Sequence, residues 1–203
     1  MVERIERFSS LADIIIIDNG STYQPLLDWY ESLQHQVVRT TNLGHTAPWI
    51  PEINDRIKTP LYVVTDPDLD LERTPRNCLE HLADCLRRLP WAKKIGLGLD
   101  ISKVPPDSPY FAHVNSQEKC YWDLPLIDGL VRYAPVDTTF AIYDKALLNN
   151  YEITGARTDI PYIAAHQPWQ VVRPSEEFAF YLSTANESSS YRAFVKQARL
   201  ARG

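Results

Sequence analysis

The run Leu61-Tyr-Val-Val64, cut off by Thr65-Asp66-Pro67-Asp68, constrains the chain more than any other stretch. Apolar and β-branched residues in a short block predict a buried strand. Its C-terminal end then delivers two carboxylates. A strand end is a rigid support, and open α/β sheets bind ligands outside the carboxyl ends of their strands. Hard oxygen ligands at a partly open site suit Mg²⁺ or Mn²⁺, which in turn engage phosphates. Pro67 fixes φ between the two acids. The same residues also serve as an acidic turn, since Asp and Pro are turn formers. If the chain stays extended through Pro67, Asp66 and Asp68 face one side. Asp70 follows Leu69 and precedes Leu71, both suited to the core, and stays outside this expected metal shell.

A second strand of the same kind comes earlier. Asp13-Ile-Ile-Ile-Ile-Asp18 predicts a strand buried on both faces, and Asn19-Gly20-Ser21-Thr22 ends it with turn residues. In a parallel sheet the two acidic ends lie on one edge. Helical spacing is expected over Met1–Leu11, Tyr23–Leu33 and Thr74–Leu89, and strands over Val37–Arg39 and Ile95–Leu99. The Ile95–Leu99 glycines allow close approach of backbone or ligand. This alternation argues for an α/β fold with a mainly parallel central sheet flanked by helices. The later half is less regular. A proline-rich loop spans Lys103–Pro109, a short helix is expected at Glu118–Trp122, and strands at Val131–Ala134, Thr139–Tyr143 and Ile160–Ile163. Helices over Glu176–Leu182 and Tyr191–Leu200 close the chain. No internal repeat or linker divides it, so residues 1–203 are expected to form one domain.

A formal net charge of −5 gives no general attraction to nucleic acid. A phosphate ligand therefore needs a local device. Cys78, Cys85 and Cys120 form no Cys-x-x-Cys pair, and Cys78 and Cys85 share one expected helix face as core thiols. No apolar run reaches the ~18 residues of a membrane span, no signal peptide is visible, and a reducing, cytoplasmic setting is expected.

Asp18-Asn19-Gly20-Ser21-Thr22 followed by Asp66-Pro67-Asp68 resembles the nucleotide-sugar glycosyltransferases of GT-A fold, family 2 type, over about residues 13–170. The resemblance implies a GT-A-like, Rossmann-like sheet with residues 1–100 as the nucleotide-binding half and 101–203 as the acceptor side. Members usually open with a strand before the first helix, and that strand is expected to be missing here. The implied reaction is hexosyl transfer from a nucleoside diphosphate sugar to a saccharide or other hydroxyl acceptor, with inversion. Asp18, Asn19, Gly20, Ser21, Asn42 and Asp66 would meet the donor. Asp66, Asp68 and His166 would hold Mn²⁺ or Mg²⁺, which neutralises the departing diphosphate.

In inverting members a carboxylate takes the proton of the attacking hydroxyl. The family's Glu-Asp pair is absent from this chain, leaving Asp137 and Glu118 as candidates. Asp137 equally suits a turn with Thr138 or Thr139, and Glu118 lies beside the aromatic Tyr121 and Trp122. His166, in Ala165-His166-Gln167-Pro168-Trp169, is a late metal ligand or a structural histidine. His45 lines a pocket or closes a turn, Arg157 and Lys145 meet diphosphate or solvent, and Trp49 and Trp169 are stacking platforms or core. A nucleotidyltransferase would want an early Gly-rich basic loop, and none is present. The alternative to an enzyme is a non-catalytic binding protein that keeps the fold with an incomplete donor site.

Overall fold

Strand and helix alternate through the first hundred residues. The computed structural model describes residues 1–8, 12–147, 150–172, 175–185, 189 and 191. Helix α1 (Val2–Ile5) is shorter than the expected Met1–Leu11. Turns carry it on to Phe8, whose N–H donates to Ile5 O at 3.0 Å, and residues 9–11 lie outside the described set. Strand β1 (Ile15–Asn19), helix α2 (Gln24–Glu31) and strand β2 (Gln36–Thr40) follow. β1 and β2 pair in parallel from Ile15–Gln36 to Asn19–Thr40, which the intervening helix permits by returning the chain to the same end. Among the described residues β2 is the one strand paired with β1, so Ile15, Ile16 and Ile17 are half-buried. The expectation of a strand enclosed on both faces is corrected by that edge position.

A 3₁₀ turn (Gly44–Trp49) and helix α3 (Pro51–Asn54) lead into β3 (Leu61–Val64) and the two-residue β4 (Leu69–Asp70). Helix α4 (Cys78–Arg88) precedes β5 (Lys94–Gly96) and β6 (Gly98–Leu99). Residues 111–122 then run as α5 (Phe111–His113), a π turn (Val114–Glu118) and α6 (Lys119–Trp122). Strands β7 (Val131–Tyr133), β8 (Ala141–Asp144), β9 (Ala156–Thr158) and β10 (Ile163–His166) come next, then α7 (Gln167–Gln170) and α8 (Glu176–Thr184). Of the helix expected over Tyr191–Leu200, only Tyr191 is among the described residues.

The fold is mixed α/β, and its main sheet is mixed rather than mainly parallel. That five-stranded sheet has the order β3-β8-β5-β9-β7. β8 is antiparallel to both β3 and β5, β9 is parallel to β5, and β7 is antiparallel to β9. The cause is β8, which comes from the second half of the chain and inserts between two strands of the first half. A strand-helix rhythm shows which elements exist, but not which later strand separates them.

Ile95–Leu99 is two strands rather than one. The chain steps out at Leu97, whose N–H donates to Phe140 O at 3.1 Å, so β5 joins the main sheet and β6 a second one, ordered β4-β10-β6. Its glycines make room for the chain itself. A Cβ on Gly98 would lie 2.5 Å from Thr158 O, and one on Gly96 2.6 Å from a Val136 methyl. The strand expected at Ile160–Ile163 begins where that stretch ends, after Pro161, which has no N–H to offer a ladder.

α4 buries Cys78, Leu82, Cys85 and Leu86 against Ile95, Leu97, Phe140 and Ile142. The two thiols are core groups, as their spacing predicts. Phe8 meets the same core edge-on to Phe140, with ring centroids 5.9 Å apart. Among the described residues no helix is long and apolar enough to cross a membrane.

Candidate functional site

β3 stops at Val64, and two bonds to one residue then fix Asp66. The Asp66 N–H donates to Thr138 O at 2.7 Å, and the Thr138 hydroxyl donates to Asp66 Oδ2 at 2.8 Å. Thr138 leads into β8, the strand beside β3, so sheet pairing brings these distant residues together. Burial pushes the Asp66 carboxyl up to about 7, and the Asp68 and Asp137 carboxylates push the same way against the Thr138 bond.

Asp68 and His166 meet through a different ladder. β4 is antiparallel to β10, with Leu69 opposite His166, and Gln167 N–H donates to Asp68 O at 2.9 Å. His166 Nε2 lies 3.5 Å from Asp68 Oδ2. The Tyr191 hydroxyl sits between them, donating to Asp68 Oδ2 at 2.6 Å and 2.9 Å from His166 Nε2. With its proton on the carboxylate side, the hydroxyl oxygen accepts from Nε2–H, and Nδ1 carries the bare lone pair. Burial lowers the His166 pKa despite the opposing pull of Asp68, Glu118 and Asp137, which favours the neutral, ligand-competent imidazole. Two atoms of this pair stay orphaned: Asp68 Oδ1 and His166 Nδ1 are buried with no hydrogen-bond partner among the described residues. Buried polar atoms are rarely left so.

Asp137, unlike these, is exposed. Its Oδ1 accepts from the Tyr151 hydroxyl at 3.1 Å, and the Tyr151 ring packs on His45 with centroids 4.3 Å apart. The segment carrying Asp137 is clamped by buried Lys94, whose ammonium donates to Val136 O at 2.5 Å and also to Glu152 O.

The Asp18 cluster is a tightly bonded turn. Asp18 is buried, and its Oδ1 accepts from Ser21 N–H at 3.0 Å. Gly20 has φ +81, a left-handed conformation that its lack of Cβ permits. Asn19 reaches the neighbouring turn, accepting from Leu43 N–H at 2.7 Å and donating to Gly44 O at 2.9 Å. Asn42 Oδ1 accepts from Gly44 N–H at 3.1 Å. His45 extends from this turn to Tyr151. A contact path thus runs from Asn19 through Gly44, His45 and Tyr151 to Asp137, beside Asp66.

Several other expectations are redirected. Glu118 is buried in an ion pair with Arg157 at 2.6 Å, and the Arg157 guanidinium lies over Tyr121. A carboxylate held this way is a structural partner, not a free base, and Arg157 is not a free diphosphate ligand. Lys145 is spent on Asn54 O and Ile57 O at 2.9 and 2.6 Å. Trp49 is core, with its Nε1–H on the Tyr62 hydroxyl at 3.0 Å. Trp169 is buried against His166, centroids 4.7 Å apart. Asp70 Oδ1 accepts from Glu72 N–H at 2.8 Å, consistent with its exclusion from the shell.

Among the described residues no three His, Cys, Asp or Glu side chains form a ready metal cage. Asp66, expected as a ligand, has Oδ2 turned to Thr138. The donor types of the orphaned atoms, a carboxylate oxygen and an imidazole nitrogen, are ones a divalent cation accepts, and Mg²⁺ and Mn²⁺ draw remaining ligands from phosphate and water. Sequence reasoning missed Tyr191, Thr138 and Tyr151. A lone tyrosine or threonine outside a motif carries no signal of its own. No protein-family model and no curated protein matches the chain.

Proposed function

We propose that this chain is a GT-A-like, metal-assisted glycosyltransferase using a nucleoside diphosphate sugar. The observation that carries this reading is the pair of orphaned atoms, Asp68 Oδ1 and His166 Nδ1, beside the high-pKa carboxyl of Asp66. An unpartnered carboxylate oxygen and an unpartnered imidazole nitrogen, on two side chains that approach to 3.5 Å, are donor types that suit a cation.

In this reading Asp68 and His166 hold the divalent ion, Mn²⁺ in preference to Mg²⁺ because one ligand is imidazole. When bound, the ion neutralises charge on the departing diphosphate. The Asp18–Ser21 turn and Asn42 shape the nucleoside side. The acceptor oxygen forms a bond to the anomeric carbon as the bond to the diphosphate oxygen breaks, and its proton passes to a carboxylate. Asp137 suits that role better than Glu118, because it is exposed and, among the described residues, bonded only to the neutral Tyr151 hydroxyl, whose pKa burial and Asp137 itself raise to about 12.

Calorimetric titration of nucleoside diphosphates with and without Mn²⁺ tests the reading. Metal-dependent binding is expected for the natural chain and not for a D66N/D68N variant. Undiminished binding by that variant overturns the proposal. A second reading, a binding protein with an incomplete donor site, is favoured by the Tyr191 hydroxyl standing on Asp68. Metal-dependent hydrolysis of a donor sugar by the chain would exclude it.

A further inference from the structure

We infer that the groove between the first helical turn and the segment after β4 is a binding site for a phosphate group, separate from the carboxylate–histidine cluster. Its rim carries Arg4, Arg7 and Arg76 around about 180 Å³ of space, with Glu72 as its one acid. Arg4 is held by Glu72 at 2.9 Å. Arg7 and Arg76 have no charged partner among the described residues. Of the two acids on the helical turn, Glu6 is turned to His35 at 3.0 Å, and Glu3 forms no ion pair among the described residues.

The groove is a local reversal of sign on a chain of net charge −5. Like charges that merely shared a solvated face would gain by spreading apart. Here they come from two segments far apart in sequence, over a floor packed into the core. Phe8 is fixed in the core against Phe140, and Leu71 is 2% exposed. Thr74 is buried with its hydroxyl on Ile163 O at 2.7 Å. Arg7 N–H donates to Arg4 O at 3.1 Å, which holds the two arginines one turn apart on one side. Two unpaired guanidinium forks across a groove match the several oxygens of a phosphate, whose charge-assisted bonds to arginine are strong and directional. The phosphate belongs either to a soluble phosphorylated molecule or to a lipid headgroup.

The test is titration of inorganic phosphate into the full chain without divalent cations, followed by phosphorus NMR or calorimetry. The chain, an R7Q/R76Q variant, a charge-preserving R7K/R76K variant and an R87Q control on the exposed face of α4 are compared. Saturable binding is expected for the natural chain and the control, about ten-fold or more weaker in R7Q/R76Q and partly kept in R7K/R76K. Flotation with phosphatidylglycerol–phosphatidylcholine vesicles against phosphatidylcholine alone separates the sources. Recruitment to the anionic vesicles that R7Q/R76Q loses assigns a headgroup. Phosphate binding without recruitment assigns a soluble ligand. Equal phosphate binding by R7Q/R76Q, or neither phosphate binding nor recruitment by the natural chain, overturns the inference. Because divalent ions are left out, the outcome is independent of the proposed metal site.

Discussion

The Tyr191 hydroxyl donates to Asp68 Oδ2 at 2.6 Å and stands 2.9 Å from His166 Nε2, so one neutral group links the carboxylate and the imidazole. Burial and the Asp68 charge both raise the Tyr191 pKa, which keeps the hydroxyl a donor rather than a phenolate. It satisfies one oxygen and one nitrogen of the pair and leaves the other two atoms bare.

Tyr191→Phe removes that link. Two buried atoms lose their partner, and the metal-free chain is expected to lose about 1–3 kcal/mol of stability. With the hydroxyl gone, Asp68 Oδ2 is no longer held by a competing donor and can join Oδ1 on a cation, so Mn²⁺ should bind the variant several-fold more tightly. Thermal melts and calorimetric Mn²⁺ titration check both halves. Weaker Mn²⁺ binding would show that the hydroxyl assists the ion instead of competing with it.

Asp66 predicts a pH dependence of definite sign. Its carboxyl is raised from 3.8 to about 7, so the folded state favours the protonated form. The cost of the charge is absent below the lower value, grows between the two, and is complete above about 7. Asp66→Asn should therefore be more stable than the natural chain at about pH 8, by up to a few kcal/mol on the scale of ~1.4 kcal/mol per pKa unit. The advantage should vanish at about pH 4. Urea denaturation across this range measures it. An equal effect of the substitution at every pH would contradict the raised carboxyl.

Not all of this was legible in the strings of residues. The ends of β3 and the Asp18 turn were readable, because an apolar run followed by Asp, Asn, Gly or Pro has one local meaning. The Asp66–Asp68 pair and His166 stood out as carboxylates and an imidazole in short motifs, and the fold brings Asp68 and His166 to within 3.5 Å. The insertion of β8 between β3 and β5 was not readable, since Ala141–Asp144 looks alike in any pairing order. The Glu118 ion pair was not readable, because its partner, Arg157, comes from β9, far away in sequence. Lys94 gave no hint that it would end buried, since its ammonium donates to two backbone carbonyls, Val136 O and Glu152 O, from loops on either side of β8.

Lys94→Met tests that last contact. Val136 O and Glu152 O each lose their ammonium donor, at a cost of about 1–3 kcal/mol per carbonyl left unsatisfied. The Asp137 loop should loosen with it. Lower thermal stability and faster amide exchange across residues 134–138 are expected, with little change in the α4 core.

Glu118→Gln separates a structural carboxylate from a base. It leaves Arg157 as a buried cation with a weaker partner, and breaking such a pair typically costs about 3–5 kcal/mol. Removing both charges as E118L/R157L should cost less than E118Q alone. Nucleoside diphosphate binding by whatever fraction of E118Q stays folded should match the natural chain, by calorimetry at low temperature. A base role would instead spare stability and abolish transfer.

The antiparallel register that sets Leu69 opposite His166 has a consequence for how the chain can change over time. Asp68 and His166 meet because two short strands are in step, not because a fixed number of residues separates them. The mostly exposed turn between α6 and β7, residues 123–129, can lengthen without altering their separation. Each doubling of such a loop costs only about 0.6 kcal/mol of closure entropy. A slip of one residue in β4 or β10 is another matter, since it would turn the imidazole to the opposite face of the ladder. Insertions in that turn are therefore cheap for this pair of side chains, whereas a single deletion between Asp68 and Asp70 would separate them.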